Sequence, residues 1–200
     1  MNTRKLTRLL EDIKDRFDGE NITVGEILAA FHERGFGFFL FLFALPAALP
    51  IPALGINFIV AAPLILLTSQ QALGRHSVWL PDFLGKKEIS RGRLASYIDA
   101  AEPWLEKLEF LIRPRLDFIT RGRASNIIGA AGFMMALSVC VPLPLTNTVP
   151  SMGIALMAIG LLMRDGLAVL AGAFIGTVWV ATLVFLGQAG VRLILATLGL

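Results

Sequence analysis

Charged and apolar positions along this chain fall into blocks. Residues 1–35 hold six Lys/Arg and seven Asp/Glu, residues 36–74 none of either, residues 75–125 ten and seven, and residues 126–200 two and one. The uncharged runs, Phe36 to Gly74 and Asn126 to Met163, are each nearly forty residues long. That is about twice the ~20 apolar residues that one membrane-crossing helix needs, so each run predicts a hairpin of two segments. Leu167 to Leu186 is long enough for one further crossing, and Val191 to Leu200 is too short for another. The pattern predicts an all-α integral membrane protein in five parts. These are cytoplasmic amphipathic helices (1–35), a first hairpin (36–74), a basic amphipathic cytoplasmic loop (75–125), a second hairpin (126–163), and a transmembrane helix with a short tail (164–200).

Orientation follows from the basic residues, which stay on the cytoplasmic side of short loops. If both hairpins return to the face they leave, seventeen of the eighteen Lys and Arg share that face and only Arg192 lies opposite. A cleavable signal would need its apolar stretch within roughly the first thirty residues. Met1 to Arg34 is charged throughout, so the N-terminus is expected to be retained and cytoplasmic.

The flanking blocks read as amphipathic helices. Thr3 to Phe17 sets Leu6, Leu9, Leu10, Ile13 and Phe17 on one stripe, the pattern of a helix lying on a surface. Thr23-Val24-Gly25-Glu26 has capping-box spacing and opens a short helix with Val24, Ile27, Leu28 and Phe31 on one face, closed by Gly35. Trp79, in Arg75-His76-Ser77-Val78-Trp79-Leu80-Pro81, fits an anchor at the headgroup level. From Ser90 to Thr120, apolar residues interleaved with charges and interrupted by Pro103 and Pro114 predict two or three short helices against the inner leaflet. A loop packed on itself is the alternative.

The hairpins carry closely spaced prolines, at Leu49-Pro50-Ile51-Pro52 and Val141-Pro142-Leu143-Pro144. Proline lacks the backbone donor and clashes with the preceding turn, so two at i and i+2 end a helix. Phe36 to Leu49 is fourteen residues, ~21 Å at 1.5 Å per residue, which falls short of a ~30 Å hydrocarbon core. Sliding the second run back by 92 positions superposes Gly129 on Gly37, Pro142 on Pro50 and Pro144 on Pro52. Interrupted helices in an internal repeat mark transporters, where unwound backbone lines a cavity near mid-membrane. Turns of ordinary hairpins at the outer surface would leave the same residues.

Polar groups sit beside the breaks: Asn57 after the first, Thr146, Asn147 and Thr148 after the second. Their oxygens could complete a shell around a cation or water, and equally Asn beside a Pro-rich turn caps the next helix. No Asp, Glu, Lys, Arg or His lies inside either hairpin, although such residues usually mark proton relays and charged-substrate sites. Candidate charged groups are confined to the edges: His32, Glu33 and Arg34 before the first hairpin, Arg164 and Asp165 after the second. The last two are expected to be satisfied by pairing, with each other or with a partner, or to form a plain cytoplasmic turn.

Composition narrows the class further. The chain is 56% hydrophobic and 16% charged, against about 25% charged in soluble domains, and a soluble enzyme is disfavoured. The single Cys140 forms no intramolecular disulfide, and two histidines supply no metal-ligand spacing. A net charge of +3 without a recognition motif points to anionic lipid headgroups at the cytoplasmic face rather than to nucleic acid. Gly129, Gly132, Gly153, Gly160, Gly172 and Gly176 permit close helix packing. Five short segments enclose little alone, so a homodimer is expected. No cofactor is implied.

Several of these residues together resemble the ExoD-like family of exopolysaccharide-synthesis membrane proteins. They are Thr23-Val24-Gly25-Glu26-Ile27-Leu28, Glu33-Arg34-Gly35-Phe36-Gly37, Leu45-Pro46, Leu49-Pro50-Ile51-Pro52, Trp79-Leu80-Pro81 and Arg164-Asp165-Gly166, in a match from about Ile22 to Leu186. The resemblance implies a bacterial inner-membrane protein associated with exopolysaccharide production and with tolerance of alkaline conditions, and it carries no catalytic residues across.

Two functions compete. A transport-type protein would move a small cation or proton through the paired hairpins, with Pro50, Pro52, Asn57, Pro142, Pro144, Thr146 and Asn147 on the pathway. A non-transporting adaptor would hold envelope or exopolysaccharide machinery at the inner leaflet. An enzyme would need a carboxylate or a nucleophile–base pair near the headgroups, and no such constellation stands out.

Overall fold

The computed structural model describes residues 21–31, 35–48, 57–75, 77–92, 95–96, 99, 114–141 and 147–198. These residues are mostly helical, with strand β1 (Asn21–Thr23) leading into α1 (Val24–Phe31), α2 (Gly35–Ala48) and α3 (Asn57–Ala72). A short α4 (Asp82–Gly85), strand β2 (Glu88–Ser90) and a 3-10 turn (Asp117–Thr120) precede α5 (Gly122–Val139), α6 (Thr148–Met163) and α7 (Gly166–Leu198).

The start of α1 forms the capping box that its spacing predicts. The Thr23 amide and hydroxyl donate to Glu26 Oε2, both at 2.8 Å, and the Glu26 amide donates back to Thr23 Oγ1 at 3.2 Å. The hydrogen bond from the Thr23 amide holds the Glu26 carboxyl below its ordinary pKa. Gly35, expected to close α1, instead opens α2.

An antiparallel pairing of β1 with β2, Ile22 opposite Ile89, adds a two-stranded sheet that an all-helical reading lacks. It ties the N-terminal block to the loop expected to be amphipathic helices. Of that loop, residues 93–94, 97–98 and 100–113 lie outside the described residues, as does the predicted helix Thr3 to Phe17. Trp79 is 52% exposed, and Gln70 fixes its backbone from both sides, with Trp79 N–H to Oε1 at 2.6 Å and Nε2 to the Trp79 carbonyl at 3.0 Å.

Five apolar segments are present as helices, but their lengths differ sharply. α2, α3, α5 and α6 span 14, 16, 18 and 16 residues. Among the described residues, only α7 is long and apolar enough to cross a membrane. It runs unbroken through Gly187 and Gly190 to Leu198, where the sequence set Val191 to Leu200 apart as a short tail. The physical reason is local: each Gly costs a helix only about 1 kcal/mol relative to Ala, and no proline interrupts the segment.

Packing joins helices across the two hairpins. α2 lies chiefly against α6 and α3 against α5, with fewer contacts inside each hairpin, and α7 packs on α6. One hydrophobic core results, in which Leu40, Leu64, Leu67, Met135, Ile154, Met157 and Val169 are fully buried. Small residues set the approach. A Cβ on Gly37 would stand 2.9 Å from the Ala158 carbonyl oxygen, and one on Gly129 would stand 2.5 Å from the Ala72 amide nitrogen.

Candidate functional site

The glycine contacts also fix direction. Gly37, near the start of α2, meets Ala158 and Leu162 toward the end of α6, and Gly129, early in α5, meets Gln71 and Ala72 at the end of α3. Gly160, near the end of α6, lies against Val169 at the start of α7. The starts of α2, α5 and α7 and the ends of α3 and α6 therefore gather at one end of the bundle.

That end holds a cavity of about 160 Å³ whose wall takes residues from each hairpin. Arg75, Arg121 and Arg164 line it, with Gln71, Ser125, Asn126 and Thr120 as its other polar residues and no acidic residue among them. Backbone turns bring the arginines in. Gly74 at φ 75° ends α3 just before Arg75, and Gly122 at φ 56° follows Arg121 into α5. Both conformations favour glycine because L side chains clash there. Arg164 takes the same region at φ 55° as the C-cap of α6, a conformation costing a non-Gly residue roughly 1–2 kcal/mol.

Electrostatics at this end are positive. Arg121 pairs with Asp117 at 2.9 Å, where both side chains are half exposed, an arrangement that contributes little to stability. α5 starts without a side-chain cap, so its first-turn N–H groups add positive potential. Gln71 is 3% exposed. Its Nε2 donates to the Ser125 hydroxyl at 3.2 Å and carbonyl at 3.4 Å, while its Oε1 accepts no hydrogen bond from any described residue.

The predicted edge pair separates into two roles. Asp165 is 5% exposed, and its Oδ1 accepts from the Leu167 amide at 2.9 Å and the Ala168 amide at 3.3 Å. It caps α7, with the negative charge at the positive end of the helix dipole. The chain beside it is clamped by the Gly166 amide donating to the Arg115 carbonyl at 2.6 Å. Arg164 faces the cavity instead.

Other predicted positions are less informative. Pro50, Pro52, Pro142, Pro144, Thr146, Glu33 and Arg34 lie outside the described residues. Asn57 opens α3. Asn147 precedes α6, makes no side-chain capping bond, and accepts the Ser151 amide through its carbonyl at 3.0 Å. Gln71, Arg75, Arg121 and Ser125 were not singled out from sequence. The available signal was the polar pair Gln70-Gln71 ending an apolar run, with Arg75 four residues on. No group of His, Cys, Asp and Glu among the described residues could hold a metal.

Comparison with known proteins supplies the lineage. The chain is 31% identical over 202 residues to Protein ExoD of Rhizobium meliloti (strain 1021), covering 98% of this chain and 82% of that one. It is 32% identical over 198 residues to an uncharacterized protein of Synechocystis sp., covering 94% and 93%. No solved structure matches. Residues 6–185 match the family described as "Exopolysaccharide synthesis, ExoD", and the chain belongs to the ExoD family, with the role in exopolysaccharide synthesis that membership implies.

Proposed function

We propose that this chain serves exopolysaccharide synthesis as a multi-pass, transport-type protein of the bacterial inner membrane, its two hairpins forming an internal repeat. The observation that carries the reading is the exchange of helices between hairpins: α2 seats on α6, and α3 on α5. A shift of 92 places Asn57–Ala72 on 149–164, against α6 at 148–163. It also carries Ala44 onto Ala136, both at 0% exposure, and Phe36 onto Ile128, both at 6%. Two like units packed reciprocally around a common seam are the architecture on which alternating access is built.

The cargo proposed from the Pro-broken hairpins is a small cation or proton, a movement that would support alkaline tolerance. Purified protein in sealed vesicles should dissipate an imposed sodium or pH gradient, and Asn57→Leu and Asn147→Leu should abolish that flux while leaving the protein folded. Full flux in both variants removes the two asparagines from the pathway. Orientation is tested separately: a cysteine at position 92, in a background lacking Cys140, should resist a periplasmic thiol reagent.

A second reading, the non-transporting adaptor, is favoured by the chemistry of the core. The buried polar side chains among the described residues are Thr68, Gln70, Gln71, Ser151 and Asp165, and Asp165 serves to cap a helix. Absence of flux for sodium and for protons in wild-type protein would decide for the adaptor.

A further inference from the structure

We propose that the cavity ringed by Arg75, Arg121 and Arg164 binds a phosphate group whose carrier bears a neighbouring hydroxyl, as in a sugar phosphate or a polyol phospholipid headgroup. Three arginines line the cavity and, among the described residues, no carboxylate does; one of them, Arg121, keeps Asp117 at 2.9 Å, and the remaining positive excess selects an anion. Guanidinium is the side chain best matched to phosphate oxygens, because its planar fork donates two parallel hydrogen bonds. The uncapped start of α5, whose Gly122 and Ser125 line the same cavity, adds backbone donors of the kind that hold phosphate elsewhere.

Gln71 supplies the second, independent requirement. Its Oε1 is a buried acceptor that takes no hydrogen bond from any described residue, and burying an acceptor unpaired is unfavourable. A phosphomonoester dianion without a hydroxyl, such as methyl phosphate, brings only acceptors and leaves it unpaired. A hydroxyl one or two carbons from the phosphate donates to it while the phosphate meets the arginines. The Gln71 amide cannot swing away freely, because its Nε2 is held by Ser125.

Location agrees with this chemistry. The cavity lies where the hairpin ends converge, between the end of α3 and the start of α5 that the basic loop joins, and on the membrane reading proposed above that end meets the headgroup layer. The inference stands apart from the transport reading, since equilibrium binding requires no flux.

The test is binding to the 200-residue chain in lipid nanodiscs of phosphatidylcholine, with methyl phosphate, glucose and glucose 1-phosphate as soluble probes above the second phosphate pKa of about 6 and phosphatidylglycerol discs as the lipid arm. Glucose 1-phosphate should bind at least about tenfold more tightly than methyl phosphate, and glucose should not bind. Arg75→Gln should weaken glucose 1-phosphate about tenfold, as expected for loss of a charge-assisted bond, whereas Arg192→Gln, an equal charge change remote from the cavity, should not. Gln71→Met should erase the preference over methyl phosphate while leaving methyl phosphate binding intact. Should Gln71→Met fail to fold, Ser125→Ala, which frees the amide, gives the same reading through a reduced preference. If phosphatidylglycerol competes out glucose 1-phosphate, the source is a headgroup; if it does not, the source is soluble. Equal affinity for the two phosphates in wild-type protein, or no binding that Arg75→Gln weakens in either lipid, overturns the proposal.

Discussion

The two seams that hold the hairpins together share a design and differ in chemistry. Where α2 meets α6, the contact is chiefly apolar, with Leu40, Ala44, Ile154 and Ala158 fully buried and Gly37 against the α6 backbone, and Ser151 is the buried polar residue of α6. Where α3 meets α5, Gly129 makes the equivalent approach, yet α3 contributes Thr68 and Gln71 as buried polar residues. Thr68 is satisfied within its own helix by the Leu64 carbonyl at 2.7 Å, and Gln71 reaches across to Ser125. One seam therefore supplies rigidity, and the other leads its polar groups toward the arginine-lined end. Lipid tails are as apolar as leucine, so within a bilayer such seams are held by close packing and interhelical hydrogen bonds rather than by exclusion of water.

The largest effects should come from the glycines common to both. Gly129→Leu and Gly37→Leu both drive a side chain into neighbouring backbone, and each should prevent recovery of monodisperse protein. Gly129→Ala should be the more damaging of the two alanine variants because its contact is 2.5 Å against 2.9 Å, with overpacking costing about 1–3 kcal/mol or more. Indifference at one glycine alone would break the likeness of the seams.

Next in size is truncation of the dry seam. Leu40→Ala or Ile154→Ala should lower stability by about 2–5 kcal/mol through cavity formation, read from reversible unfolding in detergent. Thr68→Val in the other seam should cost about 1 kcal/mol or less, since the hydroxyl bonds only to its own helix. Asp165→Ala lies at the junction that presents Arg164 to the cavity and should cost about 1 kcal/mol for the lost cap.

The smallest effect belongs outside both seams. Glu26 has a folded pKa below its unfolded one, so its stabilisation is present above the unfolded carboxylate range and is lost as pH falls through the folded value. Glu26→Gln should flatten that acid limb for α1 alone, measured by hydrogen exchange of residues 24–31 against pH.

Local chemistry was readable in advance, and long-range assembly was not. The Thr23–Glu26 box and the α1 helix follow from four adjacent residues, and the apolar blocks announce α2, α3, α5 and α6 because uncharged runs persist for many turns. From sequence, Arg164 and Asp165 read either as a pair satisfied by opposite charge or as a plain cytoplasmic turn. Asp165 Oδ1 accepts from backbone N–H groups, since a carboxylate just before an apolar helix meets the free donors of its first turn. The cavity was invisible because Gln71 and Ser125 stand 54 positions apart, and periodicity tells which face of a helix is apolar but not which helix will cover it.

If α7 crosses the inner membrane, as proposed above, its length has a consequence for the bilayer around it. Asp165 at its foot and Arg192, its one charged residue, are 27 positions apart, or ~40 Å along the helix axis. A hydrocarbon layer of ~30 Å leaves about 10 Å of that interval to the two headgroup zones, so an upright helix already reaches from one headgroup layer to the other. Hydrophobic mismatch then acts on a single element: in a thinner bilayer α7 must lean, and because Gly153 and Gly172 lock its lower half to α6, the lean is passed to the bundle. On that membrane reading, bilayer thickness would become a mechanical input to the hairpins.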